Sequence, residues 1–207
     1  MAQVLKDGVR EAILKNASEE FLDQGFEKAS MRSIALKSRM TVGNLYRYFK
    51  SKDELSDTIV SPTYQLINAM IEKITGGRLS IGTDGSGLPG DPAELRGMLK
   101  SLSEGLVDIY REHRTEVNIL MMGSKLNKEL TSWFAAMIAV LISKSFGYST
   151  ADSRVKMLSG CYADAIFSGI RTILRNAPED DISLKNLVLI YLNSYLNILS
   201  QDLPALV

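Results

Sequence analysis

A run of basic residues is the feature of this sequence best suited to chemistry. Between residues 28 and 52 there is no acidic residue, and the segment holds seven cations: Lys28, Arg32, Lys37, Arg39, Arg47, Lys50 and Lys52. The 207-residue chain has 24 basic and 24 acidic residues, so the remaining residues are net acidic. A basic segment in an otherwise acidic chain is typical of a surface that binds a polyanion. A solvated basic face is the alternative that charge alone leaves open.

Residues that catalyse reactions or hold metals are scarce. His113 is the only histidine and Cys161 the only cysteine, whereas a di-iron bundle or a zinc site needs several such ligands. Gly85, Gly87 and Gly90 match the dinucleotide motif G-x-G-x-x-G, but that motif follows a strand and here a helical pattern precedes it. We therefore expect no enzymatic activity, no cofactor and no metal.

The composition also bears on the compartment. A lone cysteine forms no internal disulfide, which suits a reducing cytosol. The longest apolar run, residues 133–142, is about half the length of a bilayer crossing. Four charged residues among the first 14 leave no room for the apolar region of a signal peptide. We expect a cytoplasmic protein without membrane contact.

Helical patterns surround the basic segment. Apolar residues spaced by four predict a helix over about 8–24 that ends at Gly25 in a left-handed conformation. Ser30 and Thr41 are suitable N-caps for short helices over 31–38 and 42–49. Two short helices joined by a tight turn, after a longer helix, predict a helix-turn-helix whose second short helix enters the DNA major groove.

A longer helix follows the basic segment. Ser51 to Glu54 matches a capping box and predicts a helix to about residue 75. Pro62 lies inside it, where proline costs about 3 kcal/mol unless the helix kinks. Ser61-Pro62 also suits the start of a new helix, so a kink and a break both remain open. The boundary between domains 1–60 and 61–207 is predicted here.

The rest of the chain reads as helical as well. Residues 76–92 contain six glycines and two prolines and predict a flexible loop. Helices are predicted over residues 92–113, 115–122, 127–146, 150–176 and 183–200. The expected fold class is all-α.

The N-terminal residues resemble the DNA-binding domain of the TetR (tetracycline repressor) family. The resemblance covers about 50 residues and rests on this set: Arg10, Ile13, Leu14, Ala17, Phe21, Gly25, Phe26, Ser30, Ile34 and Ala35. Its most specific part is the pattern Gly-x-x-Tyr-x-Tyr-Phe-x-x-Lys-x-x-Leu from Gly43 to Leu55. It implies an N-terminal three-helix helix-turn-helix domain and a C-terminal helical bundle that binds a ligand and dimerises.

The resemblance also implies which residues contact DNA. The residues that match the family's recognition helix are Thr41, Val42, Gly43, Asn44, Tyr46, Arg47 and Tyr48. The expected DNA-binding set is completed by Lys52 and, from the same basic segment, by Ser30, Arg32 and Arg39. Asn44 and Arg47 are the candidates for reading bases, since asparagine pairs with adenine and arginine with guanine. Lys52 matches a lysine expected to meet a phosphate, and Tyr48 could serve either the core or a contact.

The turn departs from the family pattern. Ser38-Arg39-Met40-Thr41 stands where the family usually has Ala-Gly-Val-Ser. An arginine in a left-handed turn carries a penalty on the order of 1 kcal/mol, which a phosphate contact would offset.

The last helix predicts a second copy of the chain. Ten of the thirteen residues 187–199 are apolar and cover every side of a helix, so both faces need burial. We expect a homodimer through the helices at about 150–176 and 183–200, with Gly160, Ala163 and Gly169 allowing close approach. A twofold dimer also suits a palindromic DNA site. A central helix of a monomer is the alternative.

A ligand pocket in the C-terminal domain is implied by the resemblance. Large, adaptable side chains supply candidate ligand-binding residues: Tyr110, Met121, Met122, Trp133, Met137, Tyr162 and Phe167. Methionine clusters suit apolar ligands, although each of these side chains could simply fill the core.

The sequence thus predicts a ligand-responsive transcriptional regulator, a repressor. It is expected to bind a palindromic double-stranded DNA operator as a homodimer, and to release it when a small apolar effector shifts the 51–75 helix. A helical adaptor whose basic segment binds RNA or an acidic protein is the alternative.

Overall fold

The computed structural model describes residues 2–200, with side chains for residues 7–198, and all regular structure in this part is helical. The helices are α1 (Ala2–Lys28), α2 (Met31–Lys37), α3 (Val42–Tyr46), α4 (Lys52–Thr75), α5 (Pro92–Glu112), α6 (Arg114–Leu120), α7 (Lys125–Phe146), α8 (Ser153–Arg175) and α9 (Asp181–Ser200). The prediction of an all-α fold is confirmed.

The chain forms two compact units. The first consists of the residues up to Gln65 together with His113–Lys128, and the second of Leu66–Glu112 together with the residues from Glu129 onward. The predicted domain division at residues 60 and 61 stays a prediction.

The first unit is built around α1. Ile13, Ala17 and Phe21 are fully buried at the predicted spacing of four, and α1 contacts α2 and α6. Gly25 has φ 77° and ψ 162°, so it interrupts α1 in the left-handed half of the map, as predicted. One further turn, ending at Lys28, follows this interruption and lets Phe26 stack on Phe21 with ring centroids 5.7 Å apart.

Pro62 lies inside a continuous α4, so the alternative of a helix break at this position is wrong. The ring fixes φ near the helical value, which allows the helix to pass through. It removes the N–H that would bond to the carbonyl of Thr58, and it crowds that carbonyl. The helix continues for more than three turns beyond the proline because Ile67 and Ile71 are buried.

The second unit packs α5 and α8 against α9. Tyr110 is fully buried in α5, and its hydroxyl donates to the carbonyl oxygen of Leu174 at 2.7 Å. Arg111 holds the α8–α9 connection, since its guanidinium bonds to Asp181 at 2.6 Å and to the carbonyl of Pro178 at 2.7 Å. These bonds fix α5 to the end of α8 and to the start of α9.

Small residues of α8 serve this packing. Ala163 is fully buried, and a Cβ on Gly169 would lie 2.0 Å from the hydroxyl of Tyr191 in α9. Gly169, one of the small residues expected to admit a second copy, therefore admits a helix of the same chain, and Ala163 is already buried within the chain.

One described helix, α7, is long and apolar enough in composition to cross a membrane. It also buries six residues, including Trp133, Met137 and Ile142. The core helix of a protein outside the membrane meets the same criterion, so its composition alone is weak evidence for a membrane span.

Candidate functional site

The two short helices begin where their N-caps predict. The hydroxyl of Ser30 accepts the N–H of Ser33 at 3.1 Å, and that of Thr41 accepts the N–H of Asn44 at 3.2 Å. The helix α3 ends at Tyr46 rather than at residue 49. The N–H groups of Arg47 and Tyr48 bond to carbonyls three residues back, at 3.1 and 2.9 Å, instead of four residues back as in an α-helix. The recognition helix is therefore shorter than predicted.

The turn between these helices is a left-handed helix end without glycine. Arg39 has φ 53° and is the only non-glycine residue of the described chain with a positive φ. Its N–H bonds to Leu36 and the N–H of Met40 bonds to Ala35, each at 3.0 Å, the pattern of a Schellman motif. The predicted turn geometry thus survives the replacement of the family's glycine, and the side chain of Arg39 is exposed.

The face of α3 opposite the core is open. Leu45 and Phe49 point inward and are 0% and 1% exposed, so both belong to the core of the first unit. The exposed members of the predicted DNA-binding set are Ser30, Arg32, Arg39, Thr41, Gly43, Asn44, Tyr46 and Arg47, and the half-buried ones are Val42, Tyr48 and Lys52. The helix-turn-helix thus presents polar and cationic side chains on its outer surface.

A groove lies beside the recognition helix. It encloses about 360 Å³ and is lined by Val9, Met40, Asn44, Arg47 and Tyr48. Its lining includes both predicted base-reading residues and accounts for the half-buried state of Tyr48. Val9 and Met40 were not predicted, because nothing in their sequence spacing marks a groove between α1 and α3.

Lys52 is held by the protein. Its ammonium donates to the carbonyl oxygens of Phe26 at 2.5 Å, Ala29 at 3.1 Å and Glu27 at 3.3 Å, and lies 4.5 Å from the ring centroid of Phe26. Carbonyls at a helix end attract a cation, so Lys52 ties the start of α4 to the end of α1. Its predicted phosphate contact stays a prediction and would compete with these three bonds.

Another cation of the basic segment, Lys37, is paired with carboxylates inside the fold. The ammonium of Lys37 lies 2.9 Å from Glu20 and 3.3 Å from Asp23. Glu20 is only 4% exposed, and the hydrogen bond from Lys37 holds its pKa below the ordinary value of 4.5. Lys37 therefore joins α2 to α1, and the outward charge of the segment comes from its other cations.

The start of α4 is capped from both directions. The N–H of Glu54 bonds to the Ser51 hydroxyl at 3.0 Å, while the Glu54 carboxylate accepts the N–H of Lys50 at 2.6 Å. The predicted capping box is present, with the carboxylate reaching one residue further back than the usual N-cap amide. This cap fixes where α4 begins relative to α3.

A separate apolar cavity of about 50 Å³ lies in the second unit. Thirteen residues line it: Leu88, Leu95, Met98, Leu99, Leu102, Phe134, Met137, Ile138, Leu141, Ile166, Leu192, Tyr195 and Leu196. Tyr195 supplies the only polar side chain among them. The wall comes from α5, α7, α8, α9 and the loop before α5.

The structure does not bring the seven predicted ligand-binding residues together. Met137 alone lines the cavity, and the pair at 121 and 122 belongs to the first unit. The hydroxyl of Tyr110 donates to the carbonyl of Leu174 at 2.7 Å, and the indole N–H of Trp133 donates to the hydroxyl of Thr83 at 3.2 Å. The remaining two, Tyr162 and Phe167, are half-buried in ring contacts with Tyr195 and Phe134. The wall is mainly leucine, which composition does not separate from ordinary core.

Metal binding has no support from side-chain placement. Among the residues that the structure describes, no three or more His, Cys, Asp or Glu side chains lie where they could hold one ion.

An exposed recognition helix, set in a basic helix-turn-helix on a helical scaffold, defines a DNA-binding transcriptional regulator. The family described as "Bacterial regulatory proteins, tetR family" matches residues 13–59, the segment that contains this motif. The match assigns residues 13–59 to the TetR type of DNA-binding domain.

Solved structures are similar to the chain over most of its length. A structure from Shewanella sp. PV-4, assigned to the TetR family of transcription regulators, is 16% identical, with a TM-score of 0.50 over 90% of this chain and 97% of that one. A TetR-like transcriptional regulator from Rhodococcus sp. RHA1 is 17% identical, with a TM-score of 0.49 over 91% and 96%. The Shewanella structure shows a shared fold. No curated protein sequence matches the chain.

Proposed function

We propose that this regulator acts in the cytoplasm as a homodimeric repressor, which binds a palindromic DNA operator and releases it on binding a small apolar effector. The observation that carries the proposal is the exposed polar face of α3, where Thr41, Asn44 and Tyr46 lie next to the cations Arg39 and Arg47. It acts by binding, and no enzymatic step is proposed.

Base reading is assigned to the groove side of α3. Asn44 and Arg47 both line the groove beside the helix. The amide of Asn44 pairs a donor with an acceptor and the guanidinium of Arg47 has paired donors, and such pairs discriminate bases in the major groove. Ser30, Arg32 and Arg39 are exposed around this face, where they would meet phosphates and set the register of the helix.

The DNA assignment is tested by selecting binding sites from randomised duplexes and measuring the affinity of the selected site by fluorescence anisotropy. A palindromic site is expected, with a log–log salt slope of about −7 if each subunit neutralises about four phosphates. Tighter binding to single-stranded RNA, or a flat salt dependence, would favour the adaptor alternative instead.

A matched pair of variants separates reading from anchoring. Asn44→Ala is expected to relax preference at one position of each half-site, at a cost of about 1–3 kcal/mol for the preferred base. Arg32→Ala should weaken selected and unrelated duplexes alike and reduce the salt slope by about 1 per subunit.

The outer surface of α8 and α9 supports the homodimer. Six of the eleven large apolar side chains that are exposed in the described chain lie on these two helices: Met157, Leu158, Ile182, Leu187, Ile190 and Ile198. Exposed apolar residues concentrated on two helices in contact are typical of an interface. Cys161, Ala165 and Ser168 are small and exposed along the same helix, which would allow a partner helix to approach closely.

The wall of the second-unit cavity, which is apolar apart from Tyr195, supports an apolar effector. Charged ligands would lose their hydration there without gaining a partner, since Tyr195 carries the one polar group of the lining. A thermal-shift screen of uncharged small molecules, followed by operator release in the anisotropy assay, identifies effectors of the expected class.

The effector signal is proposed to pass along α4. This helix carries the chain from the first unit to the second, with Pro62 just before the change at residues 65 and 66. Within the described chain, the buried hydroxyls of Ser56 and Thr63 have no hydrogen-bond partner, so these two side chains do not tie this part of the helix to its neighbours. If Pro62→Ala leaves effector-induced release unchanged, this route is wrong.

A further inference from the structure

The loop between α4 and α5, residues 76–91, is packed onto the apolar cavity. Two of its leucines are buried, Leu79 at 1% exposure and Leu88 at 5%. Leu88 lines the cavity. Leu79 does not, and it is tied instead to the end of α4, where Thr75 bonds to both its N–H and its carbonyl at 3.2 Å. The loop thus has one leucine that anchors it and one that fills space in the cavity.

The loop meets α7 at a glycine. Gly85 has φ +77°, and a Cβ at this position would lie 3.0 Å from the Cα of Met137, a residue of the cavity wall. Glycine is therefore needed for both the backbone conformation and the close approach. Any larger residue would push the loop away from α7.

Two side-chain hydrogen bonds from α7 hold the loop in place. The indole N–H of Trp133 donates to the hydroxyl of Thr83 at 3.2 Å, and the ammonium of Lys144 donates to the carbonyl of Leu88 at 3.4 Å. No backbone hydrogen bond joins residues 76–91 to α7 in the described structure. The contact can open without breaking a helix or a ladder.

The cavity is smaller than a typical ligand-binding pocket. Pockets that bind drug-sized molecules measure about 300–1,000 Å³, whereas this one has about 50 Å³. Twelve of its lining residues lie on helices, and Leu88 alone lies on the glycine-rich loop. Displacing Leu88 is the way to enlarge the cavity without separating the helices.

We propose that residues 76–91 form a lid whose Leu88 side chain plugs the effector site, and that the effector is an uncharged apolar molecule that takes the place of Leu88. The inference deepens the proposed function, since it rests on this cavity being the effector site. Binding opens the lid by swinging the segment between the glycines at 82 and 90, which contains both Thr83 and Leu88, while Leu79 stays anchored.

The plug is tested with N-phenyl-1-naphthylamine, a neutral fluorescent probe. In the wild type the probe must displace the buried side chain of Leu88, which costs free energy, and in Leu88→Ala it does not. Leu88→Ala should therefore bind the probe at least about tenfold more tightly than the wild type. Leu79→Ala, a matched buried leucine outside the cavity, should remain within about twofold of the wild type. Equal affinity of the two variants would overturn the proposal.

The lid movement has its own reporter, because Trp133 is the only tryptophan of the chain. Saturation with 1-decanol, which is transparent at the excitation wavelength, should shift Trp133 emission to the red as its bond to Thr83 breaks. Decanoate, the charged compound of equal length, should bind at least tenfold more weakly. An unchanged Trp133 emission at saturation would contradict the lid movement. Equal binding of 1-decanol and decanoate would contradict the proposed ligand class.

A second pair of variants covers the case in which Leu88→Ala fails to fold. Thr83→Val removes the indole bond and should speed association of N-phenyl-1-naphthylamine several-fold in stopped-flow measurements, and Ser86→Ala, an exposed change in the same loop, should not. Equal rates would overturn the lid. Probe binding without operator release would leave the lid standing and refute the effector role, so the two failures are distinguishable.

Discussion

The ammonium of Lys52 lies 2.5 Å from the carbonyl oxygen of Phe26, which joins the first residue of α4 to the end of α1. A charge-assisted bond of this kind is stronger than a neutral one, and two more carbonyls share the same cation. The relative placement of α1 and α4, and hence of the recognition helix between them, depends on this lysine.

Replacing Lys52 by alanine is therefore expected to destabilise the free protein. The loss should be about 1.5–3 kcal/mol, the usual contribution of a hydrogen bond to a charged group, measured by urea unfolding without DNA. Lys50→Ala removes an exposed cation two residues away and serves as the control, with stability changed by less than about 0.5 kcal/mol. If Lys52 contributed only a phosphate contact, Lys52→Ala would instead lower the salt slope of DNA binding and leave the free energy of unfolding unchanged.

Arg39 offers a change in which stability and DNA binding move in opposite directions. Its φ of 53° costs a non-glycine residue about 1 kcal/mol, so Arg39→Gly should raise stability by up to that amount. The same variant removes an exposed cation beside α3 and should weaken operator binding while reducing the salt slope by about 1 per subunit.

Arg39→Lys is the matched control, because it keeps both the charge and the strained backbone. Its unfolding free energy should stay near that of the wild type. If Arg39→Gly is less stable than both, the left-handed turn is not a source of strain.

Much of this architecture could be predicted from local sequence signals. The caps at Ser30, Thr41 and Ser51, and the left-handed end at Gly25, depend on residues within one turn of the chain, and the structure confirms each. The position of the recognition helix follows from them. Helix ends elsewhere differ from the prediction by a few residues. The helix α9 begins two residues earlier than predicted, where Asp180 accepts the N–H of Ser183 at 2.6 Å.

The parts that sequence reasoning missed depend on distant contacts. The carbonyls that hold Lys52 belong to residues more than 20 positions earlier, and the charge of Lys37 is paired with Glu20 across two helices. The cavity wall is leucine-rich and has no periodic marker, so ligand binding was predicted for aromatic and methionine side chains instead. The loop at 76–91 reads as flexible from its glycines, but two leucines anchor it.

The Glu20–Lys37 pair predicts how stability depends on pH. The hydrogen bond from Lys37 lowers the pKa of Glu20 below its ordinary value of 4.5 in the folded state. This contribution to stability is therefore fully present above about pH 4.5 and is lost as the pH falls through the lower folded-state pKa. Glu20→Gln should be less stable than the wild type at pH 7, and the difference should shrink as the pH is lowered toward 3.

Urea unfolding at several pH values between 7 and 3 measures this difference. Asp7→Asn, an exposed carboxylate of the same helix, provides the comparison and should show a smaller difference at every pH. A Glu20→Gln difference that is constant over the whole range would show that the carboxylate contributes nothing through its charge.

The apolar surface of α8 and α9 predicts the assembly state. Ile190 is 67% exposed in the middle of α9, and a homodimer would bury it. Ile190→Lys should then place a charge without a partner inside the interface and convert the dimer to a monomer in sedimentation equilibrium. Leu36→Lys, an equally large change at a 79% exposed leucine of α2, should leave the assembly unchanged. The exposed thiol of Cys161 gives a second measure, because its reaction with a thiol reagent should slow as protein concentration rises and the interface forms. A wild-type chain that sediments as a monomer at micromolar concentration, with labelling independent of concentration, would exclude this surface as a dimer interface.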